Sequence, residues 1–347
     1  MKIIKNIFDR ILGKSNCSKL IFFLKNLVDI ISFNTSNDNN TLKNKFLNKR
    51  SFLIFPGASL NEINIKALKD EFTVGLNLVY LHKEIKNVNL SMYFMFNTIE
   101  EIDNNKNIKN ELDRIIFPQN LDDQYQEKLI NFLTSKKPGF HLYNEIINHL
   151  NNESFILFKD SSSNKKKINR IKKWSNKNIF YIKYFNRLVE FKNKLSKLNI
   201  DISKRFYGSN LTHINSIIIL ISMGFKEIYL CGAGYTYDPI YVKHFYDNYI
   251  FDKKIGLENA INQANHIVDT YKYEQKFNLK FKNFIEIGDY FHGRFFIDFK
   301  EDDNLFQLKL INEFAKLKNV KIWNIVPDDF DSPVFEKITW SEVENQL

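Results

Sequence analysis

The chain has 347 residues, 44% of them hydrophobic and 15% aromatic, including 33 Phe and 16 Tyr; this is enough apolar surface for a large core and excludes wholesale disorder. The 50 Lys and Arg against 40 Asp and Glu leave a formal charge of +10, which favours an anionic partner, yet no zinc-finger spacing, aromatic RNA-binding signature or basic heptad region makes that partner a nucleic acid. Cys17 and Cys231 form neither a metal spacing nor a disulfide framework, so a reducing cytoplasm is the expected compartment.

Residues 1–33 begin basic and apolar, as a secretory signal does, but Asp9 and Arg10 interrupt the first apolar segment and Lys25, Asn26 and Asp29 the second. No apolar run approaches the roughly 20 residues of a membrane span. Ile3, Ile4, Ile7, Phe8, Ile11 and Leu12 share one helical face. Two readings of this amphipathic helical extension stand: peripheral contact with the inner face of an anionic membrane, or packing against its own domain or a second subunit of an oligomer.

Residues 34–49 are Asn-rich and read as a linker. A sheet is expected to start at Ser51–Phe55, followed by the tight turn Pro56-Gly57-Ala58-Ser59-Leu60, whose small residues permit close approach of a ligand. Phe72–Leu76 predicts a second strand ending at Asn77, and Met92–Phe96 a third ending at Asn97. Asparagine after a strand serves either as a turn residue or as a ligand contact. Arg114–Phe117 predicts a fourth strand, with helices over Asp123–Leu133 and Leu142–Leu150 and a short apolar run at Phe155–Phe158. Residues 161–177 combine three serines with a dense basic run and read as a solvated loop or an anion-binding lid.

The almost continuous apolar run Leu211–Met223 predicts a buried helix ended by Gly224. The strand Ile228–Cys231 follows and closes at Gly232-Ala233-Gly234. After it comes a polar aromatic loop with His244 among Tyr235, Tyr237, Tyr241 and Asp247, which sets a proton-transfer side chain among hydroxyl donors. Helices are expected over Leu257–Phe277 and Leu305–Leu317, then a strand Val320–Ile325 with Asn324, Asp328, Asp329 and Ser332 about its end, and a tail over 336–347. His213, on the apolar helix, reads as a packing histidine; His292, near Asp289 and Arg294, is a second candidate for chemistry, with Arg294 suited to a carboxylate or phosphate. Alternating strands and helices predict an α/β, mostly parallel, doubly wound sheet in a main domain over 50–335.

Two patches, FPGASLNEI at 55–63 and MGFKEIYLCGAGYTY at 223–237, resemble glycosyltransferase family 42, the bacterial sialyltransferases, and the related motility-associated flagellin glycosyltransferases, some of whose relatives are pterin pyrophosphokinases. The resemblance implies a Rossmann-like, GT-A-like domain that transfers a CMP-activated acidic sugar (a nonulosonate) to a hydroxyl of a glycan, lipid-linked saccharide or protein, with inversion and without a metal. It assigns nucleotide contacts to Gly57, Ala58, Ser59, Asn77, Asn97, Ser209, Thr212, Gly232, Ala233 and Gly234, the general base to His244, and phosphate or acceptor contacts to Tyr235, Tyr237, Tyr241 and Asp247. Two departures stand out: Phe55-Pro56 replaces a Gly-Asn pair, and Gly234 stands where the family keeps an acidic residue. The alternatives are a pyrophosphokinase-like enzyme, for which no P-loop lysine signature is present, and a non-catalytic nucleotide-sugar-binding subunit of a polysaccharide assembly.

Overall fold

A computed structural model describes residues 37–77, 79–82, 84–96, 138–159, 177–209, 211–233, 304–327 and 332–347. In chain order its elements are β1 (Arg50–Ile54), β2 (Thr73–Leu76), β3 (Met92–Met95), α1 (Pro138–His149), β4 (Phe155–Lys159), β5 (Asn178–Ile182), β6 (Tyr184–Asn186), β7 (Phe206–Gly208), α2 (Thr212–Ser222), β8 (Glu227–Cys231), α3 (Asn304–Leu317), β9 (Lys321–Ile325), β10 (Glu336–Ile338) and α4 (Trp340–Glu344), joined in places by short 3-10 turns. Eight strands form one sheet in the order β10-β9-β8-β1-β2-β3-β4-β5, and every pairing is parallel. The expected Rossmann-like α/β architecture is present.

Parallel strands covered on both faces read as continuous apolar runs, not as alternations. That is how β1, β3 and β8 are written: their interior residues are buried on both sides. Ile54, Tyr93, Ile156 and Tyr229 pack with Ile146 and Ile147 of α1 and with Ile65, Leu68 and Ile85 of the 3-10 turns. On the opposite face Leu53, Phe94, Leu157 and Leu230 pack with Ile217 and Ile218 of α2 and Phe314 of α3. Nine residues of α2 are buried, from Ile214 to Ser222, which is why its sequence is apolar almost all round. Gly224 ends it at φ +97, a conformation that side chains disfavour.

At the amino edge of the sheet Arg50 grips Glu71 with two hydrogen bonds, Nε to Oε2 at 3.0 Å and Nη2 to Oε1 at 2.6 Å, which joins the start of β1 to the turn that leads into β2. The stretch expected as a linker is partly built into the domain: Asn37–Thr41 is a 3-10 turn, Leu42 and Phe46 are buried, and the Asn39 amide donates to the carbonyls of Tyr181 and Ile202. Likewise the expected tail supplies β10, which pairs with β9, and α4, whose Thr339 cap accepts from the Glu342 backbone while the Glu342 carboxylate accepts from Thr339. β6 and β7 form a separate parallel ribbon. The helical extension over 1–33, the elements expected at Arg114–Phe117, Asp123–Leu133 and Leu257–Phe277, and the basic run but for Lys177 lie outside the described residues. Among the described residues no helix is long and apolar enough to cross a membrane.

Candidate functional site

β1 is flanked by β2 on one side and β8 on the other. From β1 the chain builds outward through β2, β3, β4 and β5, then returns to lay β8 against the free flank of β1 and continues to β9 and β10. The β1–β8 boundary is therefore the point at which the strand order reverses. In open parallel sheets this is where a crevice forms beyond the carboxyl ends of the strands and ligands bind. The two turns that edge it are Phe55-Pro56-Gly57 and Gly232-Ala233, the same two patches that carry the family resemblance.

These turns are tied to each other. The Phe55 N–H donates to the Cys231 carbonyl at 2.8 Å and the Gly57 N–H to the Gly232 carbonyl at 3.0 Å. A Cβ on Gly57 would lie 2.1 Å from the Gly232 carbonyl oxygen; one on Gly232, which has φ +70, would lie 2.7 Å from the Phe55 oxygen and 2.8 Å from Leu60 Cβ. Both glycines are thus required by the close approach of backbone to backbone. Just beyond Gly57 the 3-10 turn Ala58–Glu62 carries Ser59. This serine is 1% exposed, and its Oγ has no hydrogen-bond partner among the described residues. A buried hydroxyl left unmatched costs about 1–3 kcal/mol.

The amino terminus of α2 meets the same edge: the His213 ring centroid lies 6.5 Å from that of Phe55. Leu211 occupies the cap position of this 11-residue helix and makes no side-chain capping bond. Thr212 opens this turn, half-buried. His213 was expected to pack in the core; it is half-buried in the first turn, and burial lowers its imidazole pKa to about 4, which leaves the ring neutral at pH 7. Ser209 serves the fold. Its Oγ donates to Gln307 Oε1 at 2.6 Å and accepts from the Leu211 N–H, while its backbone exchanges two bonds with the Asn215 amide.

Asn77 follows β2 at φ 53, a left-handed conformation that asparagine tolerates, and its side chain is exposed. The Asn77 carbonyl accepts from the Tyr93 hydroxyl at 2.7 Å, which anchors the turn. Asn324, near the carboxyl end of β9, is fully buried: its Nδ2 donates to Ser332 Oγ at 3.2 Å and its Oδ1 has no partner among the described residues. Cys231, at the end of β8, is buried and its thiol pKa is raised by desolvation, so it is a packing residue and not a nucleophile. The structure therefore gathers Gly57, Ser59, Thr212, Gly232 and Ala233 about the β1–β8 edge, with Asn77 one strand away. Asn97, Gly234, Tyr235, Tyr237, Tyr241, His244, Asp247, His292 and Arg294 lie outside the described residues. Among the described residues no group of three or more His, Cys, Asp and Glu is arranged to hold a metal ion.

No protein-family model matches this chain, and no curated protein does. Among solved structures it is similar to the sialyltransferase CstII from Campylobacter jejuni, determined in complex with a substrate analogue, cytidine-5'-monophosphate, at 13% identity and a TM-score of 0.37 over 84% of this chain and 86% of that one.

Proposed function

We propose that the chain is a glycosyltransferase that takes an acidic sugar from a nucleotide donor, CMP by the resemblance of its two turns, and transfers it to a hydroxyl of a glycan, lipid-linked or protein acceptor. The observation that carries this reading is the hydroxyl of Ser59, buried beside the β1–β8 switch point with no hydrogen-bond partner among the described residues. A hydroxyl desolvated without a partner is a cost to the free protein that a ligand oxygen or amine would relieve. The amino-terminal end of α2 brings the positive end of its helix dipole to the same edge, together with the neutral His213 ring.

In this reading the acceptor hydroxyl attacks the anomeric carbon as the bond from that carbon to the donor phosphate breaks, inverting the centre. His244 takes the hydroxyl proton, and Tyr235, Tyr237 and Tyr241 donate hydrogen bonds to the departing phosphate. Ser59→Ala tests the site itself. In thermal-shift titrations with CMP, UDP, GDP and ATP, wild type is expected to respond to CMP. The variant should be as stable as wild type or more so without ligand, yet lose about 1 kcal/mol or more of the CMP effect. An unchanged CMP response in the variant, or no response to any nucleotide in wild type, overturns the reading. Turnover unimpaired in His244→Ala would remove the assigned base.

A further inference from the structure

The amino edge of the sheet lies at the far end of the strands from the β1–β8 crevice, and three chain segments meet there: residues 43–49 leading into β1, the turn Gly224–Lys226 between α2 and β8, and the end of α3 where it turns into β9. Backbone bonds fix them side by side. The Phe46 N–H donates to the Met223 carbonyl, the Lys226 N–H to Lys49 and the Lys321 N–H to Lys226, each at 2.9 Å. Between the segments lies an open groove of about 410 Å³, lined by Lys43, Leu47, Lys226 and Lys318 with Ile221 and Phe225 as its apolar part.

Leu47 and Leu317 are each 59% exposed, the two most exposed large apolar side chains among the described residues. Lys43, Lys49, Lys226, Lys316, Lys318 and Lys321 surround them on the same three segments. Lys43 is bonded to Asp201 at 2.7 Å. Lys226 Nζ donates to the Lys318 carbonyl at 2.9 Å, a neutral partner that does not cancel its charge. Lys318 and Lys321 lie over the rings of Phe314 and Trp323, at 5.5 and 5.3 Å, while Lys49 and Lys316 have no ion-pair partner among the described residues. The acids on these elements are Asp201, already taken by Lys43, the half-buried Glu227, and Glu313 one turn back on α3. The surface is therefore basic, with leucines standing out of it.

That combination selects one kind of partner. A lysine ammonium is a hydrated point charge without the planar fork that orients a single phosphate, and the neighbouring arginine, Arg50, is held by Glu71. A soluble polyanion would use the lysines and gain nothing from the leucines. At a bilayer the leucines enter the headgroup boundary while the lysines stay with anionic headgroups. We infer that this amino edge docks on the surface of an anionic lipid bilayer. The inference holds whatever the crevice binds and uses no residue of the extension over 1–33. The crevice opens at the other end of the paired strands β1 and β8, so a chain held by this edge keeps it clear of the lipid.

The experiment is flotation of the full-length chain with carbohydrate-free vesicles of phosphatidylcholine, with and without about one-third phosphatidylserine, in about 0.1 M and about 0.5 M salt. Wild type is expected to float with the anionic vesicles alone and to be released by the higher salt. Lys318→Gln combined with Lys321→Gln should weaken binding tenfold or more, at about fivefold for each lysine brought to an anionic surface, and Leu47→Gln combined with Leu317→Gln should weaken it severalfold. Lys66→Gln combined with Lys69→Gln, exposed on a turn whose Ile65 and Leu68 pack into the other face of the sheet, should change it about twofold at most. The two pairs at the amino edge are independent, so if one melts below wild type the other decides. No flotation of wild type with anionic vesicles, equal flotation with both lipid compositions, or a loss at the amino edge no greater than in the control pair overturns the inference. Retention on heparin together with vesicle binding that the leucine substitutions leave unchanged would assign the lysines to a soluble polyanion and overturn it as well.

Discussion

Gly57→Ala isolates the contact that defines the candidate cleft. Gly57 has φ −69, so alanine meets no dihedral penalty there and the whole effect comes from the new methyl group. That methyl would stand 2.1 Å from the Gly232 carbonyl oxygen and 3.1 Å from its carbon. An ordinary carbon–oxygen contact is about 3.2 Å or more, so the ends of β1 and β8 must part by on the order of 1 Å, which also stretches the 3.0 Å bond from the Gly57 N–H to Gly232. Overpacking of a rigid backbone costs about 1–3 kcal/mol and a weakened, partly buried hydrogen bond about 1 kcal/mol more. The expected loss is about 2–4 kcal/mol, or roughly 5–10 °C in Tm for a domain of this size. Urea unfolding followed by circular dichroism measures the first and differential scanning calorimetry the second. Because the displaced turn leads directly into Ser59, the CMP response should disappear as well. A Gly57→Ala protein with wild-type Tm would show that the two turns are not held in this contact, and the geometry of the cleft would fall with it.

Asn77→Gly and Asn77→Ala separate backbone from side chain: glycine accepts φ 53 without penalty while alanine should lose about 1 kcal/mol, and a CMP response lost equally in both variants would assign the exposed amide to the ligand. His213 has its pKa lowered by burial from 6.5 to about 4; it contributes stability that is complete above pH 6.5 and is lost as pH falls toward 4, up to roughly 3 kcal/mol in all. His213→Phe should flatten the dependence of the urea midpoint on pH between 4 and 6.5, and equal slopes in variant and wild type would contradict the assignment. Glu71→Gln leaves Arg50 without its carboxylate partner at the amino edge of the sheet, and should lower stability by about 1 kcal/mol while the CMP response is retained, as chemical denaturation and thermal shift would show.

The strands that proved easiest to read are those buried on both faces. Met92–Met95 and Glu227–Cys231 are near-continuous apolar runs, a pattern that hardly any other element of this length produces. β5 escaped because Asn178–Ile182 is a half-exposed edge strand running into a second aromatic stretch, so neither alternation nor a clean run marks it. β10 is three residues, two of them exposed, and carries no periodic signal at all. Leu42 and Phe46 sit four apart in an Asn-rich segment; polar composition concealed that this pair fills the sheet's lower core. At the site, the turn Pro56–Leu60 was legible from its small residues. The reason for its glycine was not, because the partner that excludes a Cβ is the Gly232 carbonyl, supplied by a strand far along the chain. Lys159, Lys183 and Arg205 are far apart in the sequence, and the crossover at Lys183 brings them to one cavity.

The tied turns also change what the departures from the family pattern imply. Pro56 has no N–H to offer, and at first sight this removes a phosphate donor from the first turn. Yet the flanking N–H groups of Phe55 and Gly57 are already bonded to Cys231 and Gly232, so this turn is not an open cradle whose amides all point at a ligand. In the proposed reading an anion at the switch point would be met by groups farther along: the Ser59 hydroxyl, the start of the 3-10 turn after Gly57, and the amino-terminal end of α2. The last of these adds the positive end of a helix dipole, and α2 packs into the core on one face of the sheet while Leu60 of the Ser59 turn packs into the core on the other. An anionic group held between the two would bridge the 3-10 turn and α2 without using the glycine backbone. On this arrangement a proline at 56 costs the site little, and substitutions in the first turn of α2 are expected to weaken nucleotide binding more than any change at Pro56.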